Sequence, residues 1–246
     1  RRFITGKGKF AADVKLPGML HVALVSSPHP RANILGIDVS AALALPGVAY
    51  VLTGDELSAE TSQLYHGLDI PKVRWWPLAV GMTRYAGEWV AAVVADSRYV
   101  AEDAAELVEV DYEALPAAVD TEHVMDADTP LVHPEHGSNV LFHDTFVWGP
   151  VDEDFAAAKH NLSYRVRWSR SSTVPIETFG VSTRWDEAHE ILDVWASIQM
   201  PNYPEQIAAA LGIPLNSVRV HNDIDVGGSY GVKRGIRQTI IVGYLS

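Results

Sequence analysis

The sequence has no cysteine among its 246 residues, and this absence excludes several kinds of chemistry. Disulfides, thiolate zinc sites and a cysteine nucleophile all need a thiol. Iron–sulfur clusters are also held by cysteine thiolates, so any cluster that works with this chain must be bound by another polypeptide.

Basic residues are few, with 19 Lys and Arg against 31 Asp and Glu and a net charge of -12. Binding to nucleic acid needs a basic face that displaces counterions from phosphates. Because the basic residues are scattered along an acidic chain, we expect no nucleic-acid partner.

Long apolar runs are also absent, since no stretch approaches the roughly 18 residues that cross a bilayer. The start, RRFITGKGKF, lacks the apolar core of a signal peptide, so we expect a cytoplasmic protein without a membrane span. The first residue is Arg, and the last helical pattern has no stop signal. We therefore expect a fragment, a proteolysed chain or one half of a split subunit.

Apolar residues make up 48% of the chain and charged residues 20%, enough for one large core or two modest ones. Prolines and weak periodicity between Leu115 and Asn139 are typical of a linker. We predict a first unit at 1–118, a linker at 119–139 and a second unit at 140–246.

Hydrophobic periodicity predicts strands and helices in both units. The region 58–76, with Trp75 and Trp76, predicts a loop. The clearest pattern is a strand–helix–strand module at 88–113. The predicted strands are 18–27, 32–39, 48–54, 88–95, 108–113, 140–147, 163–169, 181–186, 191–197 and 217–222, and the predicted helices are 40–45, 97–108, 151–159, 205–211 and 235–246.

The final helix has an apolar row that should need partners from outside this chain, and we expect it to leave an exposed patch. The row consists of Ile236, Ile240, Ile241 and Tyr244.

The strongest local motif is VGGSYG at 226–231, between a predicted strand and the final helix. Its glycines permit a tight turn that exposes amide hydrogens, and the helix presents its positive end. Such a loop suits a phosphate or an oxyanion. It is equally a structural turn, because neither the Walker nor the dinucleotide spacing is met.

Other polar residues admit a functional and a structural interpretation. Gln199 ends a predicted strand and either serves as a donor and acceptor in a site or caps a turn. Glu177 is either a buried acid or a loop residue. His133 and His136 lack the spacing of a zinc site, so we expect no metal ligands there.

Three long blocks, GKGKFAADVKLPGMLHVALVSSPHPRANILGIDVSAALALPGV, RYAGEWVAAVVADSRYVAEDAAELVEVDYEALPAAVD and LDVWASIQMPNYPEQIAAALGIPLNSVRVHNDIDVGGSYGVK, occur in this order. Together they resemble the large subunits of the molybdenum hydroxylase family, which includes xanthine dehydrogenase, aldehyde oxidase and aerobic carbon monoxide dehydrogenase. The resemblance spans essentially the whole chain. It implies an α+β fold in which an α/β hammerhead domain is followed by the beginning of the molybdopterin-binding domain.

The resemblance also assigns site residues. The segment SIQ resembles the family's S-T-Q. The resemblance implies that Gln199 is a catalytic residue that hydrogen-bonds to an oxygen ligand of molybdenum. The loop resembles the family's G-G-G-F-G, whose backbone lines the cofactor, and Ser229 and Tyr230 depart from that pattern. The implied cofactor-binding residues are Gly227, Gly228, Ser229, Tyr230 and Gly231. Because the strand end at Gln199 and this loop should both face one cofactor pocket, we predict that they lie close together.

Two further residues are candidates for the substrate side of the site. Glu177 in PIETFG resembles the family's P-M-E-P-R-G, and Arg234 stands where purine-oxidising members place a glutamate. The arginine argues against a purine substrate. The family's catalytic glutamate would lie beyond Ser246.

The resemblance implies a molybdenum-dependent enzyme that oxidises a C–H bond of an aldehyde or N-heterocycle with water-derived oxygen. It implies molybdopterin with molybdenum, in the cytosine dinucleotide form, and 2Fe-2S and FAD groups on partner chains. The implied partners are an iron–sulfur small subunit, an FAD-binding medium subunit and the remainder of the large subunit, in a dimer of heterotrimers. Two alternatives stay open: a non-catalytic fragment that serves assembly, and an unrelated phosphate-binding α/β module.

Overall fold

The computed structural model describes residues 1–64, 73, 75–169 and 173–246, whose strands form three sheets of three strands each. Helices pack against these sheets, so the predicted α+β class is confirmed. No helix within these ranges combines the length and apolar character needed to cross a membrane.

The first unit holds two of the sheets. Its elements are β1 (His21–Ser26), β2 (Ala32–Asp38), α1 (Ser40–Ala44), β3 (Val48–Thr53), α2 (Gly54–Glu60), β4 (Met82–Thr83), β5 (Trp89–Ala95), α3 (Arg98–Ala105) and β6 (Glu109–Ala114). The sheet orders are β1-β5-β3 and β4-β2-β6, with every pairing antiparallel. The central strand β5, WVAAVVA, is almost continuously buried, which explains its unbroken apolar sequence.

The predicted strand–helix–strand module is present, but its two strands lie in different sheets. The Ser97 hydroxyl caps α3 by accepting a hydrogen bond from Val100 N at 3.2 Å, and the helix packs on β1 and β5. After α3 the chain enters β6, which pairs with β2 and not with β5. The helix therefore connects two sheets.

The prediction of a loop at 58–76 is wrong for its first residues. Residues 54–60 form α2, whose N-cap Thr53 accepts a hydrogen bond from Glu56 N. Leu57 of this helix is fully buried, so tertiary packing stabilises a helix too short to form alone. Residues 65–72 and 74 of the predicted loop lie outside the described residues.

Two predicted strands, at 140–147 and 163–169, do not form. The described residues between β6 and residue 180 contain no strand, and their only helix is α4 (Val151–Ala157). A strand needs a hydrogen-bonding neighbour, and the described residues supply none here. All apolar side chains of both segments except that of Leu141 are left exposed.

The second unit is built on the third sheet. Its elements are β7 (Val181–Asp186), β8 (Ile191–Ala196), α5 (Tyr203–Leu211), β9 (Val218–Val220) and α6 (Ile236–Tyr244). β8 pairs antiparallel with β7 and parallel with β9, and α5 makes the crossover between the parallel strands. Pro204 lies in the first turn of α5, and Gly212 ends the helix at φ 68°.

The expectation that the final helix leaves an apolar patch is wrong. Ile240 and Ile241 of α6 are completely buried, and Ile236 and Tyr244 are partly buried. Ile241 packs with Leu52 and Leu57 in a core cluster of the first unit. Burial of each isoleucine is worth about 1.5–3 kcal/mol. α6 is therefore shared between the two units.

Candidate functional site

The glycine-rich loop, residues 226–231, lies directly beside Gln199. The Gln199 side-chain oxygen accepts a hydrogen bond from Gly231 N at 3.1 Å, and Gln199 N donates to Lys233 O at 3.1 Å. Gln199 follows the end of β8, and the loop follows β9, the parallel neighbour of β8. The expected proximity of Gln199 and the loop is confirmed.

The loop backbone adopts conformations that restrict its sequence. Gly228 and Gly231 have φ angles of 84° and 96°. Tyr230 has a φ of 52°, which is unfavourable for a residue with a side chain and is typical of functional loops. At Gly227 a Cβ atom would lie 2.6 Å from the Glu177 Cβ, so only glycine fits there.

Glu177 and Lys233 form an ion pair beneath the loop. One oxygen of Glu177 accepts hydrogen bonds from Gly227 N, at 2.6 Å, and from the Lys233 ammonium group. The Lys233 side chain is completely buried, although its ammonium group is a strongly hydrated cation in water. The sequence analysis missed Lys233. Its only signal is a lone lysine between the loop and the final helix.

Three consecutive amides of the loop are available to a ligand. The amides of Gly227 and Gly231 are occupied by Glu177 and Gln199. Within the described part of the chain, the amides of residues 228–230 have no acceptor. The Ser229 hydroxyl accepts from Lys233 N at 3.3 Å and so stabilises the turn itself.

Glu177, which accepts from Gly227 N, carries a second unsatisfied group. The other oxygen of Glu177 is buried, and no described residue hydrogen-bonds to it. Buried polar atoms usually have a partner, so a ligand with donors and acceptors fits this site better than a simple anion. The Glu177–Lys233 pair is neutral overall and does not repel such a ligand.

The expectation that a helix N-terminus directly adjoins the loop is wrong. α6 begins at Ile236, and Gly235 precedes it with a φ of 53°. A Cβ at Gly235 would overlap the Phe179 ring, so this glycine is also required. Arg234 is exposed and makes none of the hydrogen bonds or ion pairs found among the described residues.

The N-terminal segment reaches the other end of the loop. Lys9 N donates to the Asp225 carboxylate at 3.0 Å, and the Lys9 ammonium group pairs with Asp223. Arg2 also pairs with Asp225. The hydrogen bond from Lys9 lowers the pKa of Asp223. Two carboxylates next to the loop are thus neutralised by cations from the start of the chain.

A separate polar cluster lies on the third sheet, around the buried side chain of Asp193. Arg184 and His221 hydrogen-bond to Asp193 at 2.7 and 2.8 Å, and Trp195 stacks on His221 with ring centroids 4.2 Å apart. Burial favours a higher pKa for Asp193, but the hydrogen bonds from Arg184 and His221 outweigh it and lower the pKa. Every charge in this cluster is paired, which indicates a structural role.

The chain matches two family models over most of its length. Residues 5–116 match the a/b hammerhead domain of aldehyde oxidase and xanthine dehydrogenase. Residues 132–246 match the molybdopterin cofactor-binding domain. The chain belongs to the family of molybdenum hydroxylase large subunits. This family membership does not favour the alternative of an unrelated phosphate-binding module.

Individual relatives agree with this assignment. The chain is 34% identical to the 6-hydroxypseudooxynicotine dehydrogenase complex subunit gamma of Paenarthrobacter nicotinovorans, over 96% of this chain and 30% of the relative. It is 36% identical to the carbon monoxide dehydrogenase large chain of Afipia carboxidovorans, over 95% of this chain and 30% of the relative. The crystal structure of quinoline 2-oxidoreductase from Pseudomonas putida 86 superposes with a TM-score of 0.87 at 34% identity, covering 100% of this chain and 32% of that chain. The chain thus spans about 30% of the length of these relatives.

Proposed function

We propose that this chain forms the part of a molybdenum-dependent hydroxylase large subunit that holds the pterin cofactor. The observation that carries the proposal is the hydrogen bond between Gln199 and Gly231, which places a side-chain amide beside three loop amides without acceptors. In this role the amides of residues 228–230 bind the cofactor's polar atoms. When bound, the cofactor supplies the redox chemistry by which water-derived oxygen enters a C–H bond.

The chain's own residues act by orientation. The Gln199 oxygen is held by Gly231 N, which leaves its side-chain NH2 group to donate to an oxygen atom in the site. Preorganised donors of this kind stabilise charge where it develops. Glu177 binds both Gly227 N and the Lys233 ammonium group, so the geometry favours a role for Glu177 in holding the loop over contact with substrate.

The substrate class belongs to the same proposal. Relatives bear the names nicotine 6-hydroxylase and quinoline 2-oxidoreductase, which both refer to N-heterocycles. We infer an N-heterocycle or aldehyde as substrate and a cytosine dinucleotide form of the cofactor. Arg234, being exposed, stays a proposed determinant of substrate choice.

The partners are proposed on the same basis. We infer a cytoplasmic complex in which an iron–sulfur small subunit and an FAD-binding medium subunit accept electrons, because this chain has no cysteine to bind a cluster. The division into units at 1–118 and 140–246, with a linker at 119–139, is part of this proposal.

We also infer which surface meets the remainder of the large subunit. Leu162, Tyr164, Val166 and Trp168 alternate with polar residues and are 77–85% exposed. An alternating row of this kind is typical of a strand with one buried face. Since the relatives are about three times as long as this chain, their remaining part is the polypeptide that would pair with this segment.

Val166→Lys should prevent association with that remaining polypeptide, whereas Arg167→Lys, on the opposite face of the same row, should not. Co-purification of the two parts measures this difference. Equal association of both variants would contradict the assigned surface.

Cofactor content tests the main proposal. Protein from a host that makes molybdopterin is analysed for molybdenum and for the fluorescence of the oxidised pterin. We expect both in the wild type, with a reduced pterin content in Gln199→Ala and no change in Gln63→Ala, an exposed glutamine outside the site. A wild type without molybdenum or pterin would favour the alternative of a non-catalytic assembly fragment.

A further inference from the structure

The segments that precede and follow the glycine-rich loop are both tied to the first unit. At the upstream end, Asp225 is bound by Lys9 through two backbone contacts, one from Lys9 N to the carboxylate at 3.0 Å and one from Asp225 N to Lys9 O. The Phe10 ring lies against Gly227, where a Cβ would be 3.5 Å from the ring. We name the contact between Lys9 and Asp225, with the Lys9–Asp223 ion pair, the upstream clamp.

Downstream of the loop, the tie is made by Arg237 in the first turn of α6, the helix that follows the loop. Its guanidinium donates twice to Pro77 O, at 2.8 and 3.2 Å, and lies 4.4 Å from the centre of the Trp89 ring. It also donates to the Tyr85 hydroxyl. We name this set of contacts the downstream clamp.

The position of Arg237 is not explained by the helix to which it belongs. A cation in the first turn of a helix faces the positive end of the helix dipole and gains nothing from it. The two hydrogen bonds to Pro77 and the stacking on Trp89 are contacts to the first unit, and they account for an arginine here.

The cations of the N-terminal segment also decide the charge beside the loop. Asp223 and Asp225 would repel a ligand with phosphate or other negatively charged oxygens. Arg2 and Lys9 neutralise both carboxylates. Neither cation belongs to the second unit, in which the loop lies.

We propose that Lys9 and Arg237 are positioning residues through which the first unit holds the loop in a conformation ready to bind the cofactor. The identity of the cofactor rests on the proposed function, whereas the clamping of the loop does not. The hammerhead unit then contributes to the site by holding the loop, and its Phe10 ring lies against Gly227.

Amide hydrogen exchange of the protein without cofactor tests the clamps. In Arg237→Gln we expect exchange at the hydrogen-bonded amides of Gly227 and Gly231 to accelerate by about tenfold, while exchange in β5 and the melting temperature change little. Lys9→Met removes only the exposed ion pair with Asp223 and keeps the two backbone contacts to Asp225, so it should accelerate exchange at the same amides by about twofold. Arg237→Lys keeps the charge near Trp89 and should restore part of the protection. Arg98→Gln, which removes an exposed ion pair with Glu102 on α3, serves as the control and should leave the loop unchanged.

Pterin content of the same variants is the second readout. Arg237→Gln, if it folds normally, should retain about fivefold less pterin than wild type, because an unordered loop must be ordered on binding, and Lys9→Met should retain about twofold less. Unchanged exchange at the loop, acceleration that is equal in β5, or wild-type pterin content in a clamp variant would overturn the proposal. If the wild type itself carries no pterin, the proposed function fails, and the exchange measurement alone decides the role of the clamps.

Discussion

The buried Glu177–Lys233 pair offers the sharpest test of how the site is held together. The change is Lys233→Met, which keeps the length of the side chain and removes its charge. Lys233 is completely buried, and its ammonium group contacts the Glu177 oxygen that also binds Gly227 N. The variant therefore leaves a carboxylate largely buried without its counter-charge.

The expected loss of stability follows from a general difference: removing one partner of a buried ion pair costs much more than replacing both partners. Removing one partner costs about 3–5 kcal/mol, so we expect a loss of about 3 kcal/mol in the free energy of unfolding. For a chain of this length, that loss corresponds to a fall of about 6–12 °C in the melting temperature. Glu177→Gln should cost a similar amount, because it leaves the lysine unpaired.

The double variant Lys233→Met/Glu177→Gln separates the ion pair from the packing. Its glutamine still accepts from Gly227 N, and no unpaired charge remains. We expect the double variant to lose no more than either single variant, at most about 3 kcal/mol, where independent sites would give about 6, which is a coupling of at least about 3 kcal/mol. Calorimetry of the four proteins measures it, and the exposed Arg98–Glu102 pair serves as the control cycle, with no coupling above experimental error. A coupling near zero at Glu177–Lys233 would refute the reasoning.

Three further variants test other parts of the structure. Gly227→Ala should lose about 1–3 kcal/mol of stability in urea unfolding, because its Cβ would overlap Glu177. Gly36→Ala, where no atom lies within 4 Å of the added Cβ, should lose no stability, and equal losses in the two variants would contradict the steric overlap at Gly227. Asp193→Asn should lose about 1.5–3 kcal/mol at neutral pH. Because the pKa of Asp193 is lowered in the folded protein, this difference should persist above the ordinary value of 3.8 and vanish as the pH falls through the folded pKa; a difference independent of pH would refute it. Ser97→Ala should destabilise α3 by about 1 kcal/mol, and Ser97→Asp, which keeps the cap, should not; thermal unfolding measures both.

Features set by neighbouring residues were predictable from the sequence. The apolar run of β5, the Ser97 cap of α3, and Pro204 and Gly212 at the ends of α5 act within one or two turns of chain, so they produce the same structure in most contexts. The proximity of Gln199 and the loop was predictable for a related reason. Both follow strands that were expected to end at one pocket, and the order of the sequence blocks identified the family.

Features that join distant parts of the chain were decided by the tertiary structure alone. Glu177 and Lys233 are 56 positions apart, and a lysine has no local signal that distinguishes a buried ion pair from a solvated surface. The partner of β6 is β2 across the first unit, and α6 is covered by residues of the first unit, because hydrogen bonding and apolar burial depend on which surfaces meet. The same principle explains why the strands predicted at 140–147 and 163–169 do not form. The first segment is rich in apolar residues and the second alternates, but neither finds a pairing edge among the described residues.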